Sequence, residues 1–338
     1  MPSCTLPSDY WREELAGFDY LLEASPLLIQ KLRQHTFHLT GLKTYDYRSS
    51  QVKRKEEFKQ KLKELRKADS NNLFVPESPI LGGFGHNLDG QLVNLDTLKF
   101  YESLIALDKG QVLSALRGQK KKPVVCEIGA GWGGFPYQLK QHVPNMTYVI
   151  VDFPEVFLFS AVYLMTAFPD SRVLFVDGKD AVKEFRETTS AYDFVFVPQE
   201  SFQEIWDVPL DLAINMVSFQ EMTTGQVEGY ARKLWEGGVT KLYSHNRDRS
   251  GHNAQLSLVS EILSHYFELQ RIVVLNGPYT DLNSRFVDKK EKSPASSLRL
   301  AGRLIKRALL SLRNQNQLMP SEYRHLIGSP LKGHRNED

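Results

Sequence analysis

VCEIGAGWGG, Val125 to Gly134, is the stretch that decides the fold. An apolar run enters an acid, Glu127, and then Gly129, Gly131, Gly133 and Gly134 follow within six positions. A strand that stops in a glycine turn lets the backbone approach a ligand closely, because glycine has no Cβ to clash. Phe135 to Val143 then predicts a helix, with Pro136 where a first helical turn tolerates it. Strand, glycine turn and helix together open a nucleotide-binding α/β unit.

Gly129, Gly131 and Gly134 satisfy the dinucleotide pattern GxGxxG, which on its own is weak. Glu127 tilts the choice of ligand. At the carboxyl end of the strand it would repel a pyrophosphate and welcome a cation. S-adenosylmethionine (SAM) carries a sulfonium and an ammonium and no phosphate, so it fits better than NAD; the plainer reading is a turn cap. The next apolar run, Tyr148 to Val151, ends in Asp152, an acid placed to hold a ribose diol through two hydrogen bonds or simply to cap the helix that follows. Pro154 and Glu155 suit the start of that helix, which runs to about Phe168.

With 338 residues the chain can bury one large core plus a smaller helical domain, and 41% hydrophobic and 24% charged residues are ordinary globular values. No apolar run approaches the length of a membrane-spanning helix, and MPSCTLPSDYWREEL lacks the organisation of a signal peptide. Cys4 and Cys126 exclude a disulfide scaffold and point to a reducing cytoplasm. The net charge of +2 is unevenly spread. Residues 289–338 hold eleven Lys or Arg against four Asp or Glu, a net +7, which leaves −5 on residues 1–288. Such a tail suits an anionic surface or solubility alone.

Residues 1–110 read as a helical N-terminal region and a lid, 111–290 as the catalytic α/β domain, and 291–338 as a basic amphipathic tail. Ser50 to Lys67 predicts a charged helix with an apolar stripe at Phe58, Leu62 and Leu65; without interleaved aromatics it is a solvated face, not a nucleic-acid site. Pro76 to Gly90 reads as a lid or a connector, with His86 as an acceptor contact, and Asn94 or Asp96 caps the next helix. Asp193 to Val197 is the expected third strand, with Gln199 at the adenine edge and Val173 to Val176 as a small extra strand. Asp211 to Met216 is the fourth, and Lys241 to Ser244 the fifth. Phe267–Leu275 and Ser284–Asp288 are expected to pair as closing antiparallel strands. This alternation predicts a mostly parallel sheet with helices on both faces. In the tail, Leu298, Ala301, Ile305, Ala308 and Leu312 share one face of a basic helix over Ser297–Arg313 that can lie on anionic lipid, on the body or on a second subunit.

Glu127 to Gly134 resembles motif I of class I SAM-dependent methyltransferases. DFPEVF from Asp152 is similar to the second-strand acid motif of small-molecule O-methyltransferases. With Asn94-Leu95-Asp96, DLAINMVSFQEM (Asp211–Met222) and LYSHNRD (Leu242–Asp248), the chain resembles the sugar O-methyltransferases of bacterial polysaccharide gene clusters over about half its length. The resemblance implies a Rossmann-like class I methyltransferase sheet, SAM as methyl donor and a saccharide hydroxyl as acceptor, free, nucleotide-linked or lipid-linked. It leaves the catalytic residues open, and no Asp/His arrangement dictates a metal.

Ligands of open α/β sheets lie beyond the carboxyl ends of the strands. Donor contacts are therefore expected from Glu127, Gly129, Gly131, Gly133, Asp152, Phe153, Gln199 and Ser218. Acceptor contacts are expected from Gln220, Asn246, Arg247 and His86. His245 is the first candidate for general base and Glu221 the second. Two other classes fit parts of the pattern: an NAD-dependent nucleotide-sugar dehydrogenase or epimerase, and a non-catalytic protein that binds SAM or a saccharide. Glu127 and the lack of a Tyr-x-x-x-Lys pair argue against the first; the intact turn and both acids argue against the second.

Overall fold

The structure is a computed structural model and describes residues 9–21, 23–205, 208–248, 258–275 and 322–332. Helix α1 (Asp9–Ala16) is followed by the single-turn helices α2 (Pro26–Ile29), α3 (Leu32–His35) and α4 (Phe37–Thr40), and by the long α5 (Val52–Ala68). Phe58, Leu62 and Leu65 bury the one apolar stripe of α5, as its spacing predicts. The hairpin β1 (His86–Leu88) and β2 (Gln91–Val93) leads into α6 (Leu95–Lys109). Asn94 starts α6 through a capping box. Its side chain accepts from the Thr97 N–H at 2.9 Å, while Thr97 Oγ1 accepts from the Asn94 N–H at 3.3 Å. Twelve of the fifteen residues of α6 are buried, so it is a core helix rather than a surface one.

After α7 (Val112–Arg117) the chain alternates through β3 (Val124–Ile128), α8 (Gly134–His142), β4 (Thr147–Asp152), α9 (Phe157–Ala167), β5 (Val173–Phe175), α10 (Lys179–Thr188), β6 (Phe194–Pro198), α11 (Phe202–Ile205), β7 (Leu212–Met216), α12 (Thr224–Glu236), β8 (Lys241–Arg247), α13 (Val259–Ser264), β9 (Phe267–Ile272) and β10 (Tyr323–Pro330). The eight-stranded sheet has the order β5-β6-β4-β3-β7-β8-β10-β9. Pairing is parallel from β5 to β8 and antiparallel at β8–β10 and β10–β9. Strand β3 has β4 on one side and β7 on the other, so the order reverses there. A crevice opens at such a switch point, beyond the carboxyl ends of the strands.

β3, β4 and β7 are buried along their whole length, as strands covered on both faces must be. One core layer joins Tyr148, Ile150, Phe194, Leu212, Ile214 and Tyr243 to α6, α9 and the N-terminal helices. The other joins Cys126, Val149, Val195 and Ala213 to α10, α12 and α13. Among the described residues, Phe18, Phe58 and Leu104 of the N-terminal region belong to the same cluster as Ile327.

Three expectations are corrected. The fifth strand does not stop at Ser244; β8 runs through His245, Asn246 and Arg247. Among the described residues β9 pairs β10, with Ile327 opposite Gln270, and β10 also pairs β8, with His325 opposite His245. Residues 323–330, read as part of a basic amphipathic tail, form an internal strand whose centre, His325 to Gly328, is buried. The Gly82–His86 stretch is packed rather than open. Phe84 is buried, its carbonyl accepts from Asn94 Nδ2 at 2.8 Å, and a Cβ on Gly83 would run into the Ser78 carbonyl. Residues 284–288 and the helix expected over 297–313 lie outside the described residues. Cys126 is a buried free thiol inside β3.

Candidate active site

The glycine turn after β3 takes the left-handed backbone its sequence demands: φ is 76° at Gly129, 58° at Gly131 and 85° at Gly133. Gly129 has a second reason to be glycine. A Cβ there would come within 2.2 Å of Ser218 Oγ, so the turns after β3 and β7 touch. Asn215, buried near the end of β7, fixes that contact. Its Nδ2 donates to the Ile128 carbonyl at 2.8 Å, and its Oδ1 accepts from the Phe219 N–H at 2.9 Å and from Asn246 Nδ2 at 2.9 Å. Val217, between them, holds φ at 63°. For a β-branched residue this is strain of about 1–3 kcal/mol, of a kind that collects at functional sites.

Two carboxyls flank the turn. Glu127 is 2% exposed and accepts from Tyr148 Oη at 2.8 Å. Burial pushes it up to about 8, against the pull of the Tyr148 hydrogen bond. Among the described residues it forms no ion pair. Asp152 accepts from the Gly131 N–H on Oδ2 and from the Phe153 N–H on Oδ1, both at 2.9 Å. Burial pushes it up to about 7 in spite of those two donors. Each oxygen of Asp152 keeps a lone pair for a further donor. Phe153 is half-buried, with the Trp11 ring of α1 at 5.6 Å, and Gln199 sits half-buried in the turn after β6.

Beyond the carboxyl end of β7, a short 3-10 turn, Phe219–Glu221, follows. Gln220 is buried; its Oε1 accepts from the Arg247 N–H at 3.1 Å, and its Nε2 donates to Tyr323 Oη at 3.2 Å. Arg247 lays its guanidinium over the Tyr323 ring at 4.9 Å. Glu221 keeps some solvent contact. Burial still pushes it up to about 7, opposed by Arg247 and Lys99 and reinforced by Glu14 of α1.

His245 is placed elsewhere than expected. It is 0% exposed, within β8, stacked on His325 at 4.0 Å with Nδ1 3.2 Å from Ser103 Oγ. Burial, His325 and Lys99 hold it well below the ordinary imidazole range, so it is neutral. Asn246 is likewise a buried strand residue; its Nδ2 donates to Asn215 and Ser244, while its Oδ1 is buried without a hydrogen-bond partner among the described residues. His86 lies in the N-terminal core with the Tyr47 and Phe58 rings at 5.1 Å, and burial holds it down at about 4. The structure thus brings together Glu127, Asp152, the three glycines, Ser218, Gln220, Glu221 and Arg247. It does not bring His86, and it withdraws His245 and Asn246 into the sheet.

Sequence reasoning missed a buried charge cluster. Asp96 Oδ2 accepts from Arg33 Nη2 and from Trp132 Nε1, each at 3.1 Å, and Asp96 Oδ1 takes Lys99 Nζ at 2.9 Å. Burial works against this charge, but Lys99 and Arg33 outweigh it and hold Asp96 below the usual carboxylate range. Arg33 also meets Glu77 Oε1 at 2.7 Å and lies 3.8 Å over the Trp132 ring. The signal was present as Asp96 and Lys99, two of the five charged residues of α6, in its first turns among buried neighbours. Among the described residues no group of three or more His, Cys, Asp or Glu could hold a metal ion, and no helix is long and apolar enough to cross a membrane.

No family model matches the chain, and no curated protein matches it. Among solved structures, it is similar to the CurJ carbon methyltransferase, at 10% identity and TM-score 0.37 over 69% of this chain and 55% of that one. It is similar to the mitomycin 7-O-methyltransferase MmcR, at 13% identity and TM-score 0.30 over 47% and 39% of the two chains. It is also similar to phosphoethanolamine N-methyltransferase 2 of Haemonchus contortus in complex with S-adenosyl-L-methionine, at 11% identity and TM-score 0.34 over 71% and 60%. The match spans little more than half of the first of these chains. At these scores the likeness carries nothing about donor or acceptor.

Proposed function

We propose that the protein is a SAM-dependent O-methyltransferase acting on a saccharide hydroxyl. The observation that supports it most is Glu127. A carboxyl buried at a strand end, without an ion pair among the described residues and pushed up to about 8, is costly unless a cation comes to it. Both cationic groups of SAM answer that need, and a pyrophosphate would worsen it. Asp152, with one lone pair left on each oxygen, is suited to a ribose diol.

In this reading SAM supplies an already activated methyl group, and the chain aligns the acceptor with it and removes one proton. The acceptor oxygen forms the new C–O bond, the S–C bond breaks with its electron pair on sulfur, and the hydroxyl proton passes to Glu221 and then to solvent. Glu221 takes the role of base because it keeps solvent contact and is held near neutrality, where a base works best. Arg247 and Gln220 line the acceptor side. The saccharide, its place in polysaccharide assembly at the cytoplasmic face, a homo-oligomer and a lipid contact through residues 297–313 rest on the sequence resemblance and on the charge of the tail.

Calorimetry with S-adenosylhomocysteine tests the donor. Binding is expected, and Asp152→Ala should weaken it by about 1–3 kcal/mol, the scale of hydrogen bonds to a charged group. Tight NAD binding without SAM binding overturns the reading. Mass spectrometry of the surface glycan with and without the gene tests the acceptor.

A further inference from the structure

Trp132 is the one large side chain between Gly129 and Gly134, and it is buried. Its indole Nε1 donates to Asp96 Oδ2 at 3.1 Å, the Arg33 guanidinium lies 3.8 Å over its ring, and Tyr163 of α9 meets it edge-on at 4.9 Å. Arg33 is held in turn by Glu77 at 2.7 Å and Asp96 at 3.1 Å. Side chains from α3, from the loop before β1, from α6 and from α9 thus converge on the middle of the donor turn. Gly134 carries the imprint of the same ring. Its φ lies outside the left-handed region and it opens α8, so conformation does not demand glycine there. A Cβ on Gly134 would instead run into the Trp132 and Phe100 rings, so the fourth glycine of the motif makes room for the indole.

Resting on the methyltransferase reading above, we propose that Trp132 is a positioning residue of the donor site: bolted to Asp96 and packed under Arg33, it holds the glycine turn in its ligand-binding shape before SAM arrives. The neighbouring Gly131 N–H donates to Asp152 Oδ2 at 2.9 Å, so the same bolt aims the carboxylate that would take the ribose. Three left-handed glycines make a loose turn when unsupported, because glycine loses more freedom on folding than any other residue. A turn ordered in advance spares the ligand that cost on binding. The N-terminal helices thereby belong to the donor site through Arg33, although none of their residues lies in the motif. Removing the indole N–H does not bare a buried charge, since Asp96 Oδ2 keeps Arg33 and Oδ1 keeps Lys99.

The test needs no acceptor. The full chain is labelled with 15N, hydrogen exchange is followed with and without S-adenosylhomocysteine, and affinity is measured by calorimetry for wild type, Trp132→Phe and Gly134→Ala. In ligand-free wild type the Trp132 indole proton and the Gly131 amide should both be protected. In Trp132→Phe, exchange over residues 129–134 should quicken at least about tenfold, that of β4 and β6 should stay as in wild type, and the ligand should slow the turn again. The Kd for S-adenosylhomocysteine should rise about tenfold, the low end for a hydrogen bond to a charged group. Gly134→Ala, which drives the ring from its seat, should reproduce both changes and leave the indole proton exchanging freely. A folded Trp132→Phe protein with wild-type affinity overturns the proposal, as does an unprotected indole proton in ligand-free wild type. Protection lost equally from the turn, β4 and β6 would make Trp132 a merely structural residue and refute it. If Trp132→Phe does not fold, Gly134→Ala decides; failure of both to fold refutes the positioning role equally. Absence of binding in wild type would refute the methyltransferase reading, while exchange in the ligand-free chains would still decide whether Trp132 orders the turn.

Discussion

SAM affinity should rise with pH, because the site has to lose a proton to receive a cation. Burial pushes Glu127 up to about 8, so at pH 6 the empty site carries it protonated. Ionising it there costs two pH units of free energy, about 2.7 kcal/mol or roughly a hundredfold in Kd, and nothing above pH 9. Binding near pH 7 should therefore release close to one proton from Glu127, and release should vanish by pH 9. Asp152, pushed up to about 7, adds its own slope below pH 7. Two controls separate the groups. Adenosine keeps the ribose diol and lacks the cation, so only the Asp152 part should remain. Glu127→Gln should likewise lose the slope between pH 7 and 8 while keeping the part below. The assay is calorimetry of SAM at pH 6, 7, 8 and 9 in two buffers of different ionisation enthalpy, which counts the protons released. A pH-independent SAM affinity in wild type, or equal slopes in wild type and Glu127→Gln, would refute the role given to this carboxyl.

Glu221→Gln should lower turnover on the true acceptor by roughly 10²–10⁴-fold with SAM affinity near wild type, and wild-type kcat/KM for the acceptor at saturating SAM should rise with pH, half-maximal at about 7 and level about one unit above; full activity in the variant would exclude Glu221 as the base. Arg33→Met leaves Glu77 and Asp96 short of a buried partner, so a loss of about 3–5 kcal/mol is expected from urea unfolding, and a loss under 1 kcal/mol would show the cluster to be inert. A chain ending at residue 321 lacks β10 and uncovers the hydrogen-bonding edges of β8 and β9, so it should be insoluble or unfolded; a well-folded truncated protein would contradict the strand order. Deleting residues 297–313 should make the protein insoluble or change its oligomeric mass, because Leu298, Ile305 and Leu312 make a face suited to burial on protein; unchanged solubility and mass with reduced co-sedimentation on anionic vesicles at low salt would refute this and point to lipid docking.

The glycine turn, both acids and the α/β alternation were legible in the sequence because each is a local matter. Gly129, Gly131 and Gly133 announce positive φ without reference to anything distant, and the capping box at Asn94 closes over three residues. Strand β3 reads from its own apolar run, as do β4, β6 and β7. Long-range pairing decided the rest. Nothing in LYSHNRD distinguishes a strand that stops at Ser244 from one that continues through Arg247. The continuation exists because β10, nearly eighty residues on, supplies the hydrogen bonds and stacks His325 on His245. That pairing turns an expected catalytic histidine into a core residue held neutral by burial. The charge cluster has the same character: Arg33, Glu77, Asp96 and Trp132 are unremarkable apart, and only the packing of the N-terminal helices on α6 and the glycine turn brings them within hydrogen-bonding reach. The sequence alone settles conformations whose energy is local in the chain, while a buried carboxyl or imidazole takes its chemistry from neighbours that only the tertiary fold selects.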